Sequence, residues 1–509
     1  MKRQTGGCVA WLVAGLVAFG GCSDPAKKRA AKDVGVEDIA GSDTAVPTDT
    51  AVGPPEVPSP LPLYQEVTWT SWSPGKVLAL TDKPVRRGLR ELRGLIHAHS
   101  PYSHDACDNE PFDKDGKINQ ACWEDFRRDF CHVRHDFVFL TDHPTHFAEH
   151  EFPDVLLYDK ARGDQLYNDK SGQAFANQAF CQGFRPQLIF AGAESSESMP
   201  TGLHGHVGNQ QDRQRFYNEQ SKEAFDKLHD TGAVILYAHT ENRSDADILD
   251  FPLDGFEMYN LHANLMTRLA DAVGIAGVLL ADGEKMHPDL AMLGIVYEDP
   301  IYLTRWASVL SQGAKRVTTM GSDCHRNSLP MLLADGERVD SYRRMMGWFS
   351  NHLLVTPQAD GSVQPEALQT ALKNRRLYGV FEVLGYPDGF DFVASKQAGD
   401  QQTVYEMGDV VPLAGGVTLQ VRVPTVARQD PAVTAPELET RILKATATGW
   451  QEVALHKGPG VLQVAVTEPG AYRAEVRLKA KHLLNWLGSK PDLADKQLVW
   501  IYANALYVE

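Results

Sequence analysis

The residues best able to do chemistry begin at Arg93–Asp108, which reads RGLIHAHSPYSHDACD. The apolar pair Leu95-Ile96 leads into His97-Ala98-His99. Residues two apart on a strand project to the same side. Both imidazoles should therefore leave the strand end together, as two arms of one metal site. Four later patches repeat the design, with an apolar run followed by ligand-type residues: Thr141-Asp142-His143, Gly192-Ala193-Glu194, Tyr237-Ala238-His239 and Gly321-Ser322-Asp323-Cys324-His325. One histidine at a strand end is more often a hydrogen-bonded loop residue. Five such patches in order point to a multinuclear metal centre. Imidazole and carboxylate donors without thiolate suit divalent Zn or Mn, with Fe as a further candidate. Such a centre activates water for hydrolysis and carries the charge of the developing oxyanion. Arg243 lies four residues after His239 and Arg326 directly follows His325; their forked donors would fit phosphoryl oxygens.

Elements must exist to hold these patches. Short apolar runs at Gly94–Ile96, Phe137–Leu140, Gln187–Phe190, Ala233–Tyr237, Gly255–Tyr259 and Arg316–Met320 alternate with helical stretches. The helical stretches are Ser221–Thr231, Leu261–Val273, Tyr302–Gln312, Asp340–Ser350 and Pro365–Asn374. Buried strands with reactive residues at their C-terminal ends are the pattern of a β/α barrel. The polar, cysteine-containing segments 105–134 and 147–182 read as loops at the mouth of the site. Asp113-Lys114-Asp115-Gly116 departs from a calcium loop, because its glycine is at the fourth position, and reads as a surface turn. After Gly399 short, often alternating strands with Pro/Gly turns suggest a small all-β, sandwich-like domain over 400–509.

As an ordered set the patches resemble the PHP superfamily, the polymerase and histidinol phosphatase group. The matching residues are His97-Ala98-His99 with Ser103-His104-Asp105, Thr141-Asp142-His143, Glu194, Ala238-His239, and Gly321-Ser322-Asp323-Cys324-His325. The stretch Ala371–Tyr378 resembles the closing helix and turn of that family, so the likeness spans roughly residues 90 to 385. It implies a distorted (β/α)7 barrel over 66–399 with up to three metals. One would sit on His97, His99, Glu194 and Asp323. A second would share Glu194 and take His239, with His206 as an added ligand or substrate contact. A third would sit on Asp105, His143 and His325. The inserted His104 departs from the pattern, and Asp105 is the preferred ligand by its distance from His99. Asp142 would fix the tautomer of a ligand imidazole. Asn260 would line the rim, and Glu257 would serve as a cap or core support. The resemblance favours a phosphoesterase acting on a small phosphorylated substrate. A hydrolase of other esters or carbamates, and a non-catalytic surface binding protein, are the rival readings.

The N-terminus reads as a targeting segment. Lys2-Arg3 precede the apolar run Val9–Phe19, which is too short to span a bilayer and ends in Phe19-Gly20-Gly21-Cys22. This resembles a bacterial lipoprotein signal over 1–21, with acylated Cys22 anchoring the chain to a membrane of the cell envelope, facing the periplasm or the exterior. Residues 22–65, rich in Ala, Asp, Pro, Thr and Val, read as a disordered tether. Cys107, Cys122, Cys131 and Cys181 are suited to two disulfides in an oxidising compartment, with three pairings open. Cys324 reads as a buried small hydrophobe. The 509-residue chain carries 50 basic and 66 acidic residues, a net charge of -16 that argues against a nucleic-acid partner.

Overall fold

In a computed structural model of the chain, residues 71–78, 84–267, 285–291, 293 and 296–509 are described. The signal, the tether and Cys22 lie outside them, as does the end of the Leu261–Val273 helical stretch. The architecture is α/β, with one large mixed sheet and smaller ones. Among the described residues no helix is long and apolar enough to cross a membrane.

The strand Arg90–Ile96 is buried from its second residue onward and lies inside the large sheet. It runs parallel to Phe137–Phe139, which runs parallel to Gln187–Phe190. On its other side it pairs antiparallel with Ser350–Val355. A second sheet joins Met199–Thr201, Val234–Tyr237, Gly255–Asn260 and Val317–Gly321, the last three mutually parallel. These strands are apolar runs with both faces covered, as parallel sheets require.

The expected (β/α)7 barrel is not what forms: among the described residues no sheet closes on itself. Between the two sheets, backbone pairing among the described residues is limited to the isolated bridges Ala98↔Cys324 and Gly192↔Thr201. At one seam the reason lies in the backbone. His97 and Asp323 have φ of 79° and 53°, a left-handed conformation that turns the chain out of the ladder just where strands would continue. The C-terminal strands also depart from a free-standing sandwich. Gln497–Ala503 pairs with Leu377–Val380, so strand pairing carries the large sheet past residue 400. Gln401–Glu406, Asp391–Ala398, Val417–Arg422 and Val461–Val466 form a separate four-stranded sheet.

The two polar segments are not plain loops. The first contains the helix Gln120–Val133, capped by Asn119, which buries Cys122, Trp123, Phe126, Phe130 and Val133. The second contains the antiparallel pair Gln165–Asn168 and Ala174–Ala179. Two disulfides fasten this helix: Cys107–Cys122 to the segment after His99, and Cys131–Cys181 to the segment after the strand pair. Cys324 is free and buried. The disulfides fit an oxidising, non-cytoplasmic environment.

Arg93, in the central strand, is clamped within the core. Its guanidinium donates to Glu382 at 2.6 Å and to the carbonyls of Leu78 at 2.8 Å and Val133 at 2.9 Å. Glu382 also accepts from the Ser350 hydroxyl. Burial disfavours the Glu382 carboxylate, but Arg93 and His352 outweigh it and hold its pKa below the usual glutamate range.

Two outcomes follow from this packing. Peptide mapping without reduction should recover the Cys107–Cys122 and Cys131–Cys181 linkages; any other pairing among these four contradicts the fold. Glu382→Gln should leave Arg93 buried without its counter-charge and cost about 3–5 kcal/mol by denaturant titration. Because the folded pKa of Glu382 is depressed, its contribution is complete above the usual glutamate range and declines as pH falls through it. The stability gap between native and variant protein should therefore narrow in acid.

Candidate metal centre

The centre forms where parallel strands end. His97 and His99 follow Arg90–Ile96, His143 follows Phe137–Phe139, Glu194 follows Gln187–Phe190, His239 follows Val234–Tyr237, and Asp323 and His325 follow Val317–Gly321. His97, His239 and Asp323 are all left-handed, with φ of 79°, 51° and 53°. Non-glycine residues in that region carry backbone strain, and such strain concentrates at functional sites.

Donor atoms converge on one point at the bottom. His97 Nε2 and His99 Nε2 lie 3.2 Å apart, each 3.1 Å from Glu194 Oε2 and 3.2 and 3.1 Å respectively from Asp323 Oδ1. The other oxygens of the same carboxylates face His239, whose Nε2 is 3.0 Å from Glu194 Oε1 and 3.3 Å from Asp323 Oδ2. Nearer the surface, Asp105 Oδ2 lies 3.2 Å from His325 Nε2 and 3.4 Å from His143 Nε2. The His99 ring stacks on His325 with centroids 3.7 Å apart and so links the inner and outer groups.

The opposite edge of each of these imidazoles is occupied by an acceptor. His97 Nδ1 faces Glu257 Oε1 at 2.9 Å. His143 Nδ1 faces the Glu194 carbonyl at 3.0 Å, and His325 Nδ1 the Asp323 carbonyl at 2.9 Å. Ser103 gives its proton to Asp105, so its oxygen accepts from His99 Nδ1 at 3.1 Å. A neutral imidazole that donates from Nδ1 presents a bare lone pair at Nε2. In the neutral state His97, His99, His143 and His325 would each turn such a lone pair toward carboxylate oxygens. Glu194 Oε2, Asp323 Oδ1 and His325 Nε2 are buried without a hydrogen-bond partner. Lone pairs crowded at this spacing repel unless a positive charge lies between them. The residues fit divalent metal ions, and the groups have capacity for two or three.

The electrostatics agree. Burial raises the Glu194 and Asp323 carboxyls, but the surrounding imidazoles overcome it and hold both well below the usual carboxylate range. Burial lowers His97 and His239, yet Glu194 and its neighbours pull both well above the usual histidine value. His99, buried and beside His325, is pushed down to about 4 and stays neutral. The two carboxylates thus favour positive charge beside them.

Several residues sit elsewhere than expected. His206 bonds Tyr217 Oη at 2.9 Å and the His150 carbonyl at 2.7 Å; with both nitrogens engaged, it lies outside the donor groups and pins its own segment. Arg326 pairs with Asp125 at 3.2 Å, and the Arg243 guanidinium lies 4.6 Å from the Tyr237 ring centre. Asp142 bonds no imidazole; it accepts from the Ser100 amide and hydroxyl at 2.6 and 2.7 Å. Asn260 is buried rather than at the rim, donating to Glu257 Oε2 at 3.0 Å.

The structure also adds residues. Glu257 is the carboxylate behind His97, and a charged residue inside the apolar run Gly255–Tyr259 was its visible signal. Gly321 makes room for it: a Cβ there would collide with Glu257 Oε1 and lie 3.0 Å from His97 Nδ1. His262 places Nδ1 3.2 Å from Asp323 Oδ2 and forms a further group with Asp323 and His325. It follows Asn260 by two residues, and nothing local in the sequence marks it.

Glu257→Gln should keep the fold and weaken metal binding by about 10–100-fold in a competition titration, the usual cost of removing a partner behind a ligand imidazole. Gly321→Ala should weaken it at least as much, because Glu257 must move. Unchanged affinity in both variants would show that His97 needs no such support.

No protein-family model, no curated protein and no solved structure matches this chain.

Proposed function

We propose that this chain is a metal-dependent hydrolase of phosphoric esters, built on a centre of the PHP type. The observation that carries the reading is the double use of Glu194 and Asp323. Each directs one oxygen to the His97/His99 side and the other toward His239. A carboxylate used in this way holds two cations close together and offsets their repulsion. The ordered motifs, from His97-Ala98-His99 to Asp323-Cys324-His325, support the same family reading. When bound, divalent cations would supply a water nucleophile active near neutral pH and positive charge for the developing oxyanion.

The chain's own part is to hold the donors and to leave one side open. His143, Asp105 and His239 retain side-chain exposures of 21, 20 and 34%, against 0% for His97 and His99, so a substrate reaches the centre from their side. Arg326 and Arg243 have other partners, which leaves the neutralisation of a phosphoryl group to the cations. That suits a small, exposed phosphate better than a large polyanion. The two disulfides support export, and we extend this to an envelope protein anchored through Cys22.

Purified protein should hydrolyse members of a phosphomonoester and phosphodiester panel. Chelator should abolish the activity and Zn or Mn restore it. His97→Ala and Asp323→Ala should lower both turnover and metal content while the far-ultraviolet circular dichroism stays unchanged. Turnover of carboxyl esters or carbamates alone would replace the phosphate reading, and full activity in metal-stripped protein would remove the hydrolase reading altogether.

A further inference from the structure

We infer that two buried asparagines, Asn351 and Asn504, are positioning residues for the metal centre: their side-chain amides stand in for the strand missing from the free edge of Val317–Gly321. The inference rests on the proposed centre, because Val317–Gly321 leads directly into Asp323 and His325, but not on the identity of the substrate.

Val317–Gly321 is an end strand of its four-stranded sheet. One edge pairs in parallel with Gly255–Asn260. No strand pairs with the other edge among the described residues. Thr318 and Met320 are 3% and 1% exposed, and a buried backbone N–H or C=O is costly to leave unpaired.

Two side chains fill the place. Asn504 accepts from the Thr318 amide at 2.9 Å and donates to the Thr318 carbonyl at 2.8 Å. Asn351 accepts from the Met320 amide at 3.0 Å and donates to the Met320 carbonyl at 2.8 Å. A carboxamide carries a donor and an acceptor side by side, as the peptide backbone does. Each asparagine therefore makes the pair of bonds that a neighbouring strand would make. The two rungs fall on residues two apart, which is the repeat of a strand.

The rungs come from separate segments of chain. Asn351 stands on Ser350–Val355, and Asn504 directly follows Gln497–Ala503. Neither is free to swing: they are 0% and 3% exposed, and the Asn504 amide donates to the Leu377 carbonyl at 3.1 Å. Gly379 lies opposite Asn351 in the large sheet, and a Cβ there would collide with Met320 Sδ. Val317–Gly321 thus sits close against the large sheet at this point.

The row continues into the centre. The Asp323 amide donates to the His97 carbonyl at 3.2 Å, and the His99 amide to the Cys324 carbonyl at 3.1 Å. Asn504, Asn351 and the His97–His99 segment hold Thr318, Met320 and Asp323–Cys324 in turn. Together they fix the height at which Asp323 and His325 meet His97 and His99. The C-terminal chain so takes part in the centre, although none of the donor groups includes a residue from it.

The test compares Asn351→Leu and Asn504→Leu, which remove both bonds at similar side-chain volume, with Trp500→Phe. Trp500 serves as the control because its indole bonds the Gly385 carbonyl at 2.8 Å, away from Val317–Gly321. Zinc affinity by competition titration and amide hydrogen exchange of the peptide 317–325 are measured on the full protein, at a temperature where circular dichroism shows every variant folded. Where a leucine variant does not fold, the serine variant at the same position takes its place, with the same outcome expected. Both asparagine variants should lose exchange protection over 317–325 and bind zinc about tenfold more weakly or worse. The loss should be greater for Asn351, whose rung lies nearer Asp323. Trp500→Phe should keep native protection and affinity there. Native protection or native affinity in either asparagine variant, or an equal fall in the control, would overturn the inference and leave the hydrolase reading standing. Native protein that takes up no zinc would overturn both.

Discussion

Two buried carboxylates, Glu194 and Asp323, face a ring of imidazoles, with no Lys or Arg paired to either among the described residues. Moving an ionised carboxylate out of water is expensive, and two together are worse unless a counter-charge is present. Neutral imidazoles cannot donate to both carboxylates while each also keeps its one proton on an Nδ1 acceptor, so positive charge must come from imidazolium or from a bound cation. The demand for a cation is therefore a property of the packing rather than of any one residue. Glu257, Ser103 and the carbonyls of Glu194 and Asp323 are part of that demand, because they decide which nitrogen of each ring is left bare.

The backbone pays for this arrangement at the strand ends. Where Ile96, Tyr237 and Ser322 would lead into further ladder, His97, His239 and Asp323 turn left-handed and aim their side chains inward. Beside His97 and Asp323 strand pairing gives way to the single bridge Ala98↔Cys324, and the sheet stays open where a closed barrel was expected. The same turns bring His97 Nε2 within 3.2 Å of Asp323 Oδ1, although the residues are far apart in the chain. Metal chemistry and sheet closure compete for the same few residues, and at the His97–Asp323 seam the centre prevails.

The rest of the molecule stiffens this region. The helix Gln120–Val133 ties the Asp105 loop and the Cys181 segment together through disulfides on both sides. Arg93, at the root of the strand that ends in His97, is locked to Glu382, Leu78 and Val133. Gln497–Ala503 adds to Leu377–Val380 and so extends the large sheet with C-terminal chain. The inner donors stand on this framework, and the outer Asp105 stands on a loop.

The sequence by itself determined the local features. Apolar runs followed by His97, His99, His143, Glu194, His239, Asp323 and His325 marked strand ends with ligand-type residues, because burial periodicity and residue type are local properties. The helix read as Pro365–Asn374 lies at Pro365–Lys373 for the same reason. The helix Gln120–Val133 carried its own apolar spacing at Cys122, Phe126 and Phe130, yet polar neighbours obscured it. What only the tertiary structure decided is which atoms meet. His206 turned to Tyr217, His262 came to Asp323, Arg326 went to Asp125, and Cys107 chose Cys122. Each of these depends on how separate segments pack, and no spacing within a single segment encodes it.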